Sequence, residues 1–99
     1  MERNKLYYLF FLLFFLPGCI TYGRDFGTAP VRDIKLNVTA QKEIFNYFGE
    51  PFRRGVENGY ESWSYSYHVY SPGQGWKTKE LYIVFNKDQT VRQYSYTAN

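Results

Sequence analysis

The chain has 99 residues, a formal net charge of +3 at pH 7, one cysteine and one histidine. This length suits one small domain, and the modest positive charge lacks the strong clustering that is typical of nucleic-acid-binding domains. A lone cysteine excludes an intramolecular disulfide, and a lone histidine, His68, excludes a metal site built from several histidines of one chain.

The first eighteen residues have the pattern of a secretory signal peptide. Arg3 and Lys5 precede an uncharged apolar run over residues 6–16, and Pro17-Gly18 ends that run. A membrane-spanning helix needs about 20 apolar residues, so a permanent span is the weaker interpretation of so short a segment. We predict that residues 1–18 are removed during export.

The residues around this boundary, Leu16-Pro17-Gly18-Cys19, resemble the bacterial lipobox. The resemblance implies cleavage between Gly18 and Cys19, a diacylglycerol on the sulfur and an acyl chain on the new amino group, with no other cofactor. Ile20 follows where an aspartate would favour the inner membrane in enteric sorting, which points to the outer membrane. The alternative is a buried free thiol, which a preceding Pro-Gly makes hard to arrange.

The segment that follows carries no periodic pattern of apolar residues. Residues 19–33 contain two glycines, a proline and scattered aromatic side chains, spaced at neither two nor 3.6 residues. We therefore predict that this lipidated N-terminal segment is a flexible tether.

The next segment is predicted to be a short helix. Ala40, Ile44 and Phe48 recur every four residues, and Thr39 stands where a hydroxyl side chain caps the first turn. Gly49 and Pro51 favour termination after Phe48. Such a short helix is unstable alone in water, so its apolar side must pack on another element.

Three strands are predicted after this helix. Trp63, Tyr65, Tyr67 and Val69 alternate with small or polar residues, and Leu81, Ile83 and Phe85 form the apolar side of a second strand. A turn-rich loop over residues 71–78 separates them, and residues 90–96 form a more polar third strand. Short connections favour an antiparallel meander, which predicts an α+β two-layer sandwich with one or two short helices on a three-stranded sheet.

The ordered set of motifs resembles the SmpA/OmlA family, the BamE-like domain of small outer-membrane lipoproteins. The matching pieces are Ile34, Thr39, Ile44, Phe48-Gly49-Glu50-Pro51, Trp63-Ser64-Tyr65, Leu81-Tyr82-Ile83-Val84-Phe85-Asn86 and Val91. The resemblance implies a BamE-like domain over residues 34–99, of the fold that β-lactamase inhibitor proteins share. Asn37 stands where the family usually has glycine, and we expect it to adopt a positive φ.

What the resemblance implies is a non-enzymatic protein anchored by lipid to the outer membrane, with its domain facing the periplasm. Its partners would be other envelope proteins, among them the β-barrel assembly complex, and it would have no nucleic acid or small-molecule substrate. The alternative is a stand-alone inhibitor or ligand-binding lipoprotein of the same fold, because fold alone does not determine function.

Residues with catalytic or ligand-binding chemistry have simpler interpretations here. His68 is expected on a strand surface, Glu57 and Glu61 flank an Asn-Gly turn, and Gly73 to Thr78 reads as a hairpin loop because a strand follows it. Tyrosine-rich strands could stack nucleic-acid bases, but export to the envelope argues against that use.

Four residues in or beside predicted loops are candidates for partner binding: Arg53, Arg54, Tyr70 and Trp76. Tyr, Trp and Arg dominate the energetics of protein contacts, which is why these residues stand out. The alternative is that the two arginines are simply solvated and that Trp76 packs on a sheet edge.

Overall fold

A computed structural model describes residues 18–99, so the predicted removal of residues 1–18 concerns a segment that lies almost entirely outside the described residues. Within the described range the chain forms five strands, one α-helix and one 3-10 helix. In chain order these are β1 (Ile20–Gly23), the 3-10 helix η1 (Ala29–Asp33), α1 (Gln41–Phe48), β2 (Arg53–Glu57), β3 (Tyr60–Ser71), β4 (Gly75–Phe85) and β5 (Val91–Ala98).

Strands β3, β4 and β5 form the predicted antiparallel meander. The hairpin between β3 and β4 is tighter than expected, because the backbone N–H of Gln74 donates to the carbonyl of Ser71 at 3.0 Å and closes the turn there. Gly73 and Gly75 supply the positive φ angles of 83° and 79° that this turn requires. The predicted loop over residues 71–78 is therefore wrong from Gly75 onwards, where β4 begins, and at Ser71, which is the last residue of β3.

Two strands were not predicted, and both pair with the same edge of β3. Strand β1 pairs with the second half of β3, with Ile20 opposite Tyr70, and β2 pairs with the first half, with Arg53 opposite Ser64. Without β1 and β2, the backbone N–H and C=O groups of β3 at this edge would be unpaired. Hydrogen bonds to these groups can therefore stabilise a short strand even when its side chains show no apolar alternation. The two short strands thus lie end to end beside one long strand.

The prediction of a flexible tether over residues 19–33 is accordingly wrong. Ile20–Gly23 is a strand, Ala29–Asp33 is a 3-10 helix, and the Phe26 side chain between them is only 7% exposed. The Arg24 backbone N–H also donates to the Ser66 carbonyl at 3.0 Å, which extends the attachment beyond β1. The secondary structure of the described residues therefore includes Ile20, fourteen residues before the predicted boundary at Ile34.

The predicted helix is present as α1, but its capping residue differs from the prediction. Ala40 occupies the N-cap position without a side-chain hydrogen bond. The hydroxyl of Thr39 is buried and accepts the backbone N–H of Lys35 at 2.8 Å, so it is not available to the first turn of the helix. At the other end Gly49 has φ 82° and follows the last helical residue, Phe48, as predicted.

The core lies between one face of the sheet and the segment that contains η1 and α1. Ile44 and Phe48 of the helix pack there, and the rings of Trp63 and Phe85 meet edge to face with 5.0 Å between centroids. Phe45, next to Ile44 in the helix, is 42% exposed, and its ring meets the Trp63 ring edge to face with 6.4 Å between centroids. The buried apolar residues of the cluster are Phe26, Ile34, Ile44, Phe48, Trp63, Tyr65, Leu81, Ile83, Phe85 and Val91.

This arrangement confirms an α+β architecture with a helix packed on an antiparallel sheet. Asn37 adopts the expected positive φ, at 63°. Its backbone N–H donates to the Val91 carbonyl at 2.7 Å, so this turn joins the segment before the helix to the start of β5.

Candidate binding surface

The face of the sheet opposite the core carries a row of three large side chains at one end. The strand register places Ile20, Tyr70 and Trp76 side by side on β1, β3 and β4, and we call them the tip row. Ile20 is 59% exposed and Trp76 is 52% exposed, while the rings of Tyr70 and Trp76 lie 5.3 Å apart between centroids. Both aromatic candidates lie in strands, each one residue from the strand end that borders the short β3–β4 turn.

A second row lies behind the tip row on the same face and consists of Tyr22, His68 and Thr78. The Tyr22 and His68 rings meet edge to face at 5.8 Å, and together with Trp76 these residues line an apolar hollow of about 350 Å³. The histidine lies on a strand surface as predicted, with its Nε2 atom 3.1 Å from a carboxylate oxygen of Glu80.

The two candidate arginines are neighbours in sequence but lie on opposite faces of β2. Arg53 shares the face of the tip row, and its guanidinium donates to the Tyr22 hydroxyl at 3.1 Å. Arg54 lies on the core side, where its guanidinium is 4.9 Å from the Trp63 ring centroid and donates to Glu50 at 2.8 Å. The structure thus brings three of the four candidates to one face and separates Arg54 from them.

Arg54 instead borders a larger hollow of about 580 Å³ at the far end of the sheet. Val56, 76% exposed, and Glu61 line one side of it, and Lys87 and Gln89 line the other. The hollow lies between the β2–β3 turn and the β4–β5 turn, and so at the end of the sheet away from the tip row.

Cys19 is exposed and immediately precedes β1. Its sulfur lies 3.5 Å from the hydroxyl oxygen of Ser71, the last residue of β3 before the β3–β4 turn. The predicted cleavage site at Gly18 and Cys19 and the proposed site of lipid attachment therefore adjoin the tip row.

An ion pair fixes the chain just after β1. Lys79 forms a salt bridge with Asp25, donates to the Phe26 carbonyl at 2.9 Å and lies 5.1 Å from the centroid of the Phe26 ring. The hydrogen bond from this ammonium lowers the pKa of Asp25 below its usual value. These contacts hold the only buried side chain between β1 and η1 in the core.

The two glutamates that flank the Asn-Gly turn bind different donors. Asn58 and Gly59 have positive φ angles of 52° and 85°, which confirms the turn. Glu57 accepts a hydrogen bond from Tyr82 at 2.7 Å, an interaction that raises the pKa of that tyrosine, while Glu61 accepts from Gln41 and Trp63. Residues 18–99 contain no group of three or more His, Cys, Asp or Glu side chains placed to hold a metal ion.

Ile20 and Tyr22 were not identified from the sequence as surface residues of the domain. Their spacing of two residues, with Thr21 between them, is the one signal that could have indicated β1. A strand of four residues is too short for this alternation to stand out from the surrounding sequence. Among the described residues no helix is long and apolar enough to cross a membrane. Comparisons of the chain with protein-family models, with curated proteins and with solved structures find no match.

Proposed function

We propose that this chain is the precursor of a lipoprotein of the bacterial outer membrane, and that its domain binds other envelope proteins without catalysing a reaction. The observation that carries the proposal is the lipobox-like Leu16-Pro17-Gly18-Cys19, which follows an apolar run and ends on an exposed cysteine next to the first strand. The side chain of Cys19 is exposed in the folded domain.

The composition of the uncovered sheet face supports a binding role. Tyr22 and Trp76 are each about half exposed, and Arg53 projects from the same face. These residue types contribute most of the energy in protein contacts, and an exposed apolar surface of this kind marks an interaction site. Arg53 is therefore our principal candidate for contact with a protein partner.

The specific role that we propose is that of an accessory to β-barrel outer-membrane protein assembly, in the manner of the SmpA/OmlA family. Its support is the order of the motifs along the sequence, together with a helix that packs on an antiparallel meander. Arg54 and the hollow beside it belong to the same proposal as a second contact at the far end of the sheet.

Lipid attachment is tested by mass spectrometry of the protein purified from bacterial membranes. We expect the mass of residues 19–99 plus a diacylglycerol and an N-acyl chain, and recovery in the outer-membrane fraction. The Cys19→Ser variant should keep its leader and lack the added lipid. A wild-type product of full length with an unmodified thiol contradicts the proposal.

Partner binding is tested by photo-crosslinking in living cells. A photoreactive residue at position 53 should capture a defined envelope protein, whereas the same residue at position 42, on the exposed side of α1, should not. Capture of a β-barrel assembly subunit supports the specific role, and equal capture from both positions or from neither contradicts a binding face around Arg53.

One observation favours the alternative of an inhibitor or ligand-binding lipoprotein. The hollow beside Arg54, of about 580 Å³, has the size of a small-molecule site, for which roughly 300 to 1,000 Å³ is usual. A soluble form that inhibits a hydrolase, together with unchanged levels of outer-membrane proteins after gene deletion, would favour this function over a role in barrel assembly.

A further inference from the structure

We propose that the tip row of Ile20, Tyr70 and Trp76 sits in the interfacial layer of the membrane to which Cys19 is anchored. The inference rests on the proposed lipidation of Cys19. A lipoprotein on a flexible tether can turn any side of its domain towards the membrane. In the proposed arrangement the end of the sheet that carries the tip row always faces the lipid, and the opposite end always faces water.

The first argument is the distance between the anchor and the row. Ile20 follows Cys19 directly, so their Cα atoms are about 3.8 Å apart. Neighbouring strands lie about 4.8 Å apart, which places Tyr70 one strand and Trp76 two strands from Ile20, within about 10 Å. Because β1 is hydrogen-bonded to β3, the domain cannot move away from its lipid chains without breaking the sheet.

The second argument is the depth of the layer that these residues would occupy. A bilayer of about 40 to 45 Å with a hydrocarbon core of about 30 Å leaves roughly 5 to 7.5 Å of interface on each side. Cys19 must itself lie in this layer if its acyl chains reach the hydrocarbon. The Cys19 sulfur and the Ser71 hydroxyl, 3.5 Å apart, therefore bring the β3–β4 turn to the same depth.

The third argument is chemical. Tryptophan and tyrosine are enriched at membrane interfaces, since each combines an apolar ring with a polar group that stays hydrated. Trp76 and Ile20 are both more than half exposed at this end of the sheet. If the tip row did not contact lipid, these apolar surfaces would be in contact with water. The apolar hollow behind Trp76 continues the same surface.

The charge of this end fits a lipid surface. Residues 19–24 and 69–79, which contain the tip row and the turn, include no aspartate or glutamate. They do include Arg24 and Lys77, of which Lys77 is exposed one residue from Trp76, whereas Lys79 is paired with Asp25. No carboxylate of these two segments would therefore have to lose its hydration near the headgroups, where burial of a charge is costly.

The test uses the two tryptophans of the lipidated protein as probes. Trp76 is half exposed, whereas Trp63 is 4% exposed in the core. The mature lipidated protein is incorporated into phosphatidylcholine vesicles with either ordinary or bromine-labelled acyl chains, and its tryptophan emission is compared with that of the matched Trp76→Phe variant. Flotation of the vesicles reports separately whether the protein is anchored.

We expect bromine to cause a loss of emission from the wild-type protein and almost none from Trp76→Phe, since Trp63 is shielded. If the protein floats with the vesicles but the loss is absent, or if the variant loses as much, the tip row is not in the interface and only this inference fails. If the wild-type protein does not float, the anchor is missing and both proposals fail. A wild-type emission that is unaffected by bromine but changes when an envelope protein is added would assign Trp76 to a protein partner.

Discussion

Tyr65 links the end of the helix to the sheet, and its replacement gives a test with a defined pH dependence. The side chain is 2% exposed, and its hydroxyl donates to the Gly49 carbonyl at 2.8 Å. Tyr65→Phe removes this hydrogen bond and keeps the ring. We expect a loss of about 1 kcal/mol in the free energy of unfolding at pH 7, the usual net contribution of such a bond.

The sign of this difference should reverse at high pH. Burial raises the pKa of Tyr65, with a smaller opposing effect of the Arg54 charge. The folded protein therefore keeps the phenol protonated while the unfolded chain releases the proton above its ordinary pKa of about 10. The stabilisation that the protonated phenol gives to the folded state is fully present below pH 10. It declines as the pH rises towards the pKa of Tyr65 in the folded protein.

The magnitude follows from linkage. At one pH unit above the pKa of the unfolded chain, deprotonation of the Tyr65 phenol stabilises the unfolded chain by about 1.4 kcal/mol relative to the folded protein. At pH 11 this exceeds the hydrogen-bond contribution of about 1 kcal/mol, so Tyr65→Phe should then be at least as stable as the wild type. The other tyrosines and the lysines affect both proteins equally, and the difference isolates Tyr65.

The assay is urea unfolding of residues 20–99, followed by tryptophan emission at several pH values between 7 and 11 for both proteins. Equal slopes of the two transitions are needed for the comparison. A difference in unfolding free energy that stays constant over this range would refute the assignment of a protonated, buried phenol at position 65.

Three further substitutions test the packing of the domain by urea unfolding. Ile44→Ala, at a fully buried position, should lower the free energy of unfolding by about 2 to 5 kcal/mol. In the control, Val56→Ala, the wild-type side chain is 76% exposed, and the free energy of unfolding should change by about 0.5 kcal/mol or less. Similar effects of the two substitutions would contradict docking of the helix through Ile44. Gly23→Ala should destabilise by more than about 1 kcal/mol, because φ is 83° and the new Cβ would overlap the Ser66 carbonyl, whereas Gly27→Ala has open space and serves as the control. Asp25→Asn should be less stable than the wild type near neutral pH. Because the hydrogen bond from Lys79 lowers the pKa of Asp25, this difference should decrease as the pH falls below about 4 and the carboxylate of the folded protein becomes protonated. A difference in unfolding free energy that does not depend on pH in this acidic range would contradict the ion pair.

The parts of the fold that the sequence predicted are those with strong periodic signals. Ile44 and Phe48 lie one helical turn apart, and Trp63 and Tyr65 alternate with serines, so their burial follows from the pattern alone. The meander followed from short connections, and the turn at Asn58-Gly59 followed from residue types that tolerate positive φ.

What the sequence did not predict depends on tertiary pairing. Strands β1 and β2 have no buried apolar face, since Val56 is 76% exposed and Ile20 is 59% exposed. Their stability comes from hydrogen bonds to the edge of β3, and a pattern of side chains does not report backbone partners. The capping role of Thr39 failed for a local reason, because its hydroxyl accepts the backbone N–H of Lys35, four residues earlier in the chain.

The placement of β1 separates the candidate binding residues into two sets with different surroundings. In the proposed orientation the tip row lies at the lipid, and Arg53 pairs with Ser64, six residues along β3 from Tyr70. At about 3.3 Å per residue this places Arg53 up to about 20 Å from the tip row, well beyond an interfacial layer of roughly 5 to 7.5 Å. A flexible tether would allow every face of the domain to meet a partner, whereas a strand that begins one residue after the proposed lipid anchor would hold Arg53 and the hollow beside Arg54 at a fixed height above the membrane. Partners of this domain should therefore be proteins whose own contact surfaces lie at that height above the membrane.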